Sequence, residues 1–296
     1  MKKIKIGYFA DGPWSHKAFS KIINDKSLEI AFVVPRKKSQ DKTLISMANN
    51  NNIECLKDAD VNSKNFLEKL KKYNCDLFVS MSFNQIFKKN FLNLPKYRTI
   101  NCHAGKLPFY RGRNILNWVL INDEKEFGIT VHYVDEGIDT GDIILQRTYP
   151  ITDNDSYNSL LEKSYSECAQ ILYDSIKLIQ SNRVKVVKQN SIDKIGSYFR
   201  RRVEGDEFID WNKNAREIFN LIRAISHPGP LARTKYNNNL ILIGKSRVID
   251  NNIITSEGAS GEIMQKTKSG YIIKCHDSLL EIQDINLELN IGEKFS

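Results

Sequence analysis

The chain has 296 residues, 41% of them apolar and 27% charged, a balance that excludes a disordered or collagen-like chain and allows two folded cores. Its formal net charge of +9 suits a polyanionic partner, a nucleotide diphosphate or RNA, and equally a lysine-rich solvated surface. Five cysteines without a Cys-x-x-Cys pair argue against a disulfide framework or structural zinc and suit a reducing cytosol; no apolar run approaches ~20 residues and no signal-peptide core is visible, so a cytoplasmic location with no membrane partner is expected.

In chain order, residues 3–10 predict a first strand, closed by Asp11-Gly12-Pro13 and followed by a helix through Ile23. A strand at 28–34, helices at 44–51 and 62–73, and an apolar strand at 76–81 come next. Strands alternating with helices imply an α/β fold with a parallel sheet and right-handed crossovers, whose ligands lie beyond the carboxyl ends of the strands. No Gly-x-Gly-x-x-Gly follows the first strand, which disfavours a dinucleotide cofactor. Residues 99–103 predict a strand, 113–121 an amphipathic helix, and 128–134 a β-branched and aromatic strand. His132 within that strand reads as a packed or solvent-facing residue rather than a ligand, and Cys102 as a buried strand residue without a nucleophilic role.

A long helix at 156–179 is announced by Asp153-Asn154-Asp155-Ser156 and closes a first domain, taken as 1–188. The remainder, 189–296, opens on a basic and aromatic stretch at 198–202 and continues into a helix at 215–225, which His227-Pro228-Gly229-Pro230 ends. Short β-type runs at 240–243, 253–255, 261–265, 271–275 and 279–285 predict a small OB-like β domain.

Residues 101–113, Asn-Cys-His-Ala-Gly-Lys-Leu-Pro-Phe-Tyr-Arg-Gly-Arg, and the later Asp139-Thr140-Gly141 carry the chemistry. A neutral amine attacking a formyl carbon generates a negative oxygen and a positive nitrogen. Such a site needs a fixed hydrogen-bond donor, a compensating charge and a proton acceptor, which Asn101, His103 and Asp139 can supply. The scattered histidines and cysteines offer no metal-ligand set.

These segments resemble the formyltetrahydrofolate-dependent formyltransferases, a family of glycinamide-ribonucleotide, methionyl-tRNA and amino-sugar enzymes. The family's Asn-x-His and distant Asp fall on Asn101, His103 and Asp139, and its fold is a Rossmann-like domain followed by a small β domain. The chain departs from the usual Ser or Gly and Leu-Leu-Pro after the histidine, reading Ala104-Gly105-Lys106-Leu107-Pro108. The resemblance implies N10-formyltetrahydrofolate as formyl donor, held by Ser82, Phe83, Gln85, Ile86 and Phe87 and by Val134, Glu136 and Ile138. Arg111-Gly112-Arg113-Asn114, then Leu116-Asn117-Trp118, is similar to the segment of enzymes acting on nucleotide-linked amino sugars, and Phe199-Arg200-Arg201-Arg202 to their Arg-Arg stretch. The implied acceptor is therefore a UDP- or dTDP-linked amino-dideoxy sugar. Tyr110, Arg111, Arg113, Asn117, Trp118, Arg200, Arg201 and Arg202 would recognise it, guanidinium forks suiting a diphosphate. Methionyl-tRNA formylation, with tRNA as partner, and a non-catalytic folate- or nucleotide-binding protein are the alternatives. Family habit implies a homodimer.

Overall fold

Apolar runs that bury both faces make central strands of a parallel sheet, and β1 (Ile4–Ala10) is such a run, six of its seven residues buried. The computed structural model describes residues 3–38, 40–57, 60–249 and 257–296. After β1 come α1 (Gly12–Ile23), β2 (Leu28–Val34), α2 (Lys42–Asn50), β3 (Glu54–Cys55), α3 (Lys64–Tyr73), β4 (Leu77–Met81), α4 (Lys89–Leu92), β5 (Thr99–His103) and β6 (Arg111–Gly112). Local chemistry sets the helix ends. Asp41 Oδ1 accepts the Leu44 N–H at the start of α2, Ser63 caps α3, and Asn74 ends α3 in the left-handed conformation it tolerates.

The chain then forms α5 (Ile115–Ile121), β7 (Glu126–Tyr133), β8 (Ile143–Pro150), the 24-residue α6 (Tyr157–Gln180), α7 (Gln189–Ile192) and β9 (Tyr198–Phe199). The chain falls into two compact units that exchange segments: residues 1–112, 127–149 and 162–199 form one, and residues 113–126, 150–161 and 200–296 the other. A single cut between 188 and 189 therefore does not describe the exchange, because the segment carrying α5 contributes to the second unit.

In the first unit the sheet order is β3-β2-β1-β4-β5-β7-β8. Strands β1 to β5 pair in parallel, as the alternation predicts, while β7 runs antiparallel to β5. The helix between β5 and β7 belongs to the other unit, so no crossover helix returns the chain to run alongside β5 in the same sense. An aromatic cluster of Phe9, Phe32, Phe78, Phe87 and Phe91 fills one face of the sheet.

Register aligns residues far apart in sequence. Val34, Phe9, Ser80, Asn101 and His132 form one rung across β2, β1, β4, β5 and β7. Because side chains alternate, they share a face, and residues two positions further toward the carboxyl ends of the parallel strands share it too.

In the second unit α8 (Ala215–Ile225) starts with an Asn214/Glu217 capping box and holds α5 through the Asn117 Nδ2 to Ala224 carbonyl bond of 2.6 Å. Arg216 bridges Asp123 and Asp153 with contacts of 2.6 Å, and Arg223 reaches Asp123 at 3.4 Å. The β elements are a hairpin of β10 (Ala232–Tyr236) and β11 (Asn239–Ile243), and an antiparallel sheet of β12 (Lys245–Ile249), β13 (Ile263–Lys266), β14 (Gly270–Lys274) and β15 (Leu279–Gln283) in the order β12-β15-β14-β13. Sequence periodicity passes over β10 and β12, whose Lys and Arg residues interrupt the apolar pattern. The strand expected at 253–255 lies outside the described residues.

Candidate active site

Asn101 faces His132 because the two are register partners on adjacent strands, and the Asn101 Nδ2 donates to His132 Nε2 at 3.3 Å. The other ring nitrogen of His132 donates to the Tyr133 carbonyl at 2.8 Å, which fixes the tautomer that leaves Nε2 free to accept. His103, two residues beyond Asn101 on the same face, donates from Nε2 to the Tyr110 carbonyl at 2.7 Å. Its Nδ1 is then the basic nitrogen, and it lies 3.6 Å from Asp139 Oδ2. Asp139 Oδ1 lies 3.6 Å from His132 Nε2, so one carboxylate sits between two imidazoles.

Asp139 leaves β7 on a loop that turns back sharply, with its own φ at 55°. Gly141 permits the return: a Cβ there would sit 1.8 Å from the Tyr133 carbonyl oxygen. Gly105 is as tightly placed, since its Cβ would meet both the His103 ring and the Tyr110 oxygen at 2.4 Å and part the bond that orients His103. The Asp139 carboxylate accepts the Gly112 N–H at 3.1 Å. Burial would raise its carboxyl; the His103 charge, the adjacent His132 and the Gly112 N–H outweigh that and hold it well below the usual carboxylate range.

Gln189 anchors this loop. Its Nε2 donates to the carbonyls of Asp139 and Gly141, both at 2.8 Å, and its Oε1 accepts from Arg111 Nε at 3.0 Å and Nη2 at 2.7 Å. Arg111, expected at the acceptor, thus has its fork occupied by Gln189, and Nη1 donates to the Ile195 carbonyl at 3.1 Å. Tyr110 is buried and stacks on Phe199 at 4.6 Å between centroids, so its carbonyl rather than its ring serves His103.

The residues expected around the donor divide. Phe87 belongs to the aromatic cluster, and Phe83 and Val134 pack against that same cluster from the two predicted segments. Ile86 and Ile138 stand 64% and 48% exposed, apolar surface free to take a ligand, and Glu136 is exposed beside Ile138. Gln85 accepts from the Val61 N–H at 3.2 Å, and Ser82 Oγ from Arg36 Nη2 at 3.3 Å.

Within the second unit, Asn117 is buried with its amide committed to Ala224. Trp118 donates from Nε1 to the Arg200 carbonyl at 3.0 Å, and the Arg200 guanidinium sits 5.6 Å over its ring while forking onto Asp206. Arg113 and Arg201 are exposed. Arg202 is buried, with its Nη2 3.8 Å from Glu207 Oε1. Among the described residues no group of three or more His, Cys, Asp or Glu is arranged to hold a metal ion, and no helix is long and apolar enough to cross a membrane.

Residues 4–176 match the formyl transferase family, and residues 203–291 match the formyl transferase C-terminal domain. The chain belongs to the formyl transferase family. This formyltransferase is 34% identical over 292 residues to methionyl-tRNA formyltransferase of Clostridioides difficile (strain 630), spanning 96% of this chain and 92% of that protein. Among solved structures it is similar to WlaRD, a sugar 3N-formyl transferase crystallised with dTDP and 5-N-formyl-THF, at 26% identity and a TM-score of 0.72, covering 98% of this chain and 100% of the other. A 4-N formyltransferase from Francisella tularensis matches at 25% identity and a TM-score of 0.66, over 82% of this chain and 97% of the other.

Two residues of the candidate site escape a reading of the sequence. His132 is 2% exposed, packed within its strand as expected, and it also touches both Asn101 and Asp139, contacts that the sequence did not announce. The signal was its alternation with Thr130, which only the pairing to β5 could interpret. Gln189 lies 50 positions from Asp139 and carried no motif at all.

Proposed function

We propose that this formyltransferase moves a formyl group from N10-formyltetrahydrofolate to the primary amine of a UDP- or dTDP-linked amino-dideoxy sugar. The observation that carries the reading is the run Arg111-Gly112-Arg113-Asn114 with Leu116-Asn117-Trp118, where tRNA enzymes have Trp-Arg-Gly-Ala-Ala-Pro-Ile. End-to-end similarity to a sugar 3N-formyl transferase supports it. Methionyl-tRNA formylation is the second reading, favoured by the 34% identity to the clostridial enzyme.

The folate supplies an activated formyl carbon, and the segments of Ser82, Phe83, Gln85, Ile86 and Phe87 and of Val134, Glu136 and Ile138 would hold it. The exposed apolar faces of Ile86 and Ile138 fit a flat heterocycle. Asn101 donates to the oxygen as negative charge develops there, a preorganised donor contributing about 2.7–4 kcal/mol. His103 Nδ1, whose partner nitrogen is tied to a carbonyl, takes up the proton shed by the amine as its C–N bond forms, Asp139 balances the imidazolium, and the proton passes to N10 of the folate as the formyl C–N10 bond breaks. His132 holds the Asn101 amide in its donating orientation. For the acceptor, Tyr110 and Arg111 shape the loop beside His103, while exposed Arg113 and Arg201 supply guanidinium groups and Trp118 an indole, chemistry suited to a base and a diphosphate; Asn117, Arg200 and Arg202, whose polar groups are committed within the second unit, support them.

Thermal melting with UDP, dTDP, their amino sugars and tRNA tests this, together with formylation assays on each. Saturation at a hundredfold over Kd stabilises by about 2.7 kcal/mol, a shift of several degrees. Stabilisation by one sugar nucleotide with turnover is expected; formylation of methionyl-tRNA alone, with steep salt dependence, would replace this reading by the second.

A further inference from the structure

One carboxylate at the carboxyl edge of the sheet has no use in the chemistry above. Asp11 follows β1 in extended backbone, φ −160° and ψ 147°, so the strand's alternation continues through it. Phe9 shares a rung and a face with Asn101, and Asp11 and His103 each lie two residues further on. Asp11 and His103 are therefore on the same face at the same level. Only β4 separates their strands, two inter-strand spacings or about 10 Å.

The surroundings of Asp11 are incomplete. Its Oδ2 is buried and has no hydrogen-bond partner among the described residues. Its Oδ1 has the Arg36 guanidinium at 3.9 Å, beyond hydrogen-bonding reach, because Arg36 spends Nε and Nη2 on the Ser82 carbonyl and hydroxyl at 2.7 and 3.3 Å. Asp41, close by, shows what satisfaction looks like: it accepts from His16 and the Gly12 N–H, each at 2.6 Å, and from Leu44 N at 3.0 Å. Burial, with the Asp41 charge, raises the Asp11 carboxyl despite the Arg36 charge and the Arg36 backbone N–H, whereas at Asp41 burial is outweighed by the bonds from Leu44, His16 and Gly12, which lower that group. A buried carboxylate oxygen without a donor is costly, and the cost is offset when a ligand hydroxyl supplies one.

We propose that Asp11 accepts a hydrogen bond from a hydroxyl of the acceptor's sugar ring while the ring's amine lies at Asn101 and His103. The inference rests on the amino-sugar reading above. A pyranose bearing one hydrogen bond of ~3 Å at its amine and another at a ring hydroxyl spans a gap of that size. The crevice between β1 and β4 is also where the strand order reverses, the place such sheets leave open to ligands.

The test is steady-state kinetics of the wild type, Asp11→Asn and Asp11→Ala with UDP- and dTDP-linked 3-amino and 4-amino sugars, each substrate varied in turn. KM for the sugar nucleotide should rise ~10- to 100-fold in both variants with KM for formyltetrahydrofolate unchanged, the range expected for a lost bond to a charged group. Asp11→Asn should melt close to the wild type, since its amide oxygen can still accept the Arg36 backbone N–H and only the 3.9 Å approach of the Arg36 guanidinium is weakened. Should Asp11→Ala fail to fold, acceptors lacking one ring hydroxyl at a time, assayed on the wild type, give the same readout: one of them should bind ~10-fold or more weakly and be insensitive to Asp11→Asn. A raised KM for the folate instead would assign Asp11 to the donor and overturn the proposal. Unchanged sugar KM in a wild type that formylates sugars would overturn this inference alone; a wild type inactive on every amino sugar overturns the proposed function and this inference with it.

Discussion

Asp139 in the first unit and Asp123 in the second are both carboxylates held well below their ordinary range, and they differ in what holds them. Asp139 lies 3.6 Å from each of two imidazoles. Asp123 lies 2.6 Å from Arg216, 3.4 Å from Arg223 and 3.1 Å from Lys125. An imidazole exchanges its proton at working pH and a guanidinium does not. The first cluster can therefore pass a proton, while the second can only tie α5, the 150–161 segment and α8 together. Clustered charge is thus arranged for proton exchange in one unit and for cohesion in the other.

Removing the chemistry should break this contrast most visibly. Asn101→Ala, His103→Ala and Asp139→Ala are each expected to lower kcat by ~10²–10⁴ with little change in Tm, and double variants should lose less than the product of the singles. Near-normal turnover in any two of the singles would reduce the first cluster to a scaffold like the second.

His132→Ala sharpens the comparison from the other side of the same carboxylate. Its contact helps hold Asp139 low and its Nε2 orients Asn101, so kcat should fall about ten- to a hundredfold, as for groups that orient a reacting residue. The loss should fall on kcat rather than on either KM, since His132 touches Asn101 and Asp139. Unchanged kcat with reduced Tm would make His132 a packing residue.

Asp123→Asn should do the opposite, lowering stability by about 1–2 kcal/mol, a few degrees in Tm, with formylation intact. Burial opposes ionisation of Asp123, yet the hydrogen bonds of Arg216 and Lys125 hold its carboxyl at about 2. A depressed carboxyl contributes stability above its unfolded value near ~3.9, lost as pH falls toward 2. Acid melts should show that loss in the wild type and a flatter profile in the variant; parallel profiles would mean the network is screened by solvent.

The smallest expected effect is that of chelation. Amine attack on an activated formyl carbon is served by Asn101, His103 and Asp139 without a Lewis acid, so activity should be unchanged in EDTA. Loss restored by zinc would give the two imidazoles and Asp139 another task.

Much of the fold was legible because it is local. The α8 span follows from its capping box and its stop at His227-Pro228, and β1, β2, β4 and β5 from apolar runs between turn residues. The triplet was legible because Asn101 and His103 share a strand and Asp139 precedes the glycine its loop requires. Arg113, Arg200 and Arg202 were conspicuous by composition, but the separate fates of exposed Arg113, Asp206-bound Arg200 and buried Arg202 were not.

By itself the sequence determined the alternation of strands and helices and singled out Asn101, His103 and Asp139 as candidate reacting groups, since each signal depends on residues within a short motif. Tertiary structure alone decided that Phe9, Ser80, Asn101 and His132 share one rung, that β7 reverses direction, that Gln189 clamps the Asp139 loop and that Asp11 is left with an empty oxygen. Strand register and loop closure pair residues by position in space, and separations of 21 to 71 residues along the chain carry no local signal of which pairs will meet.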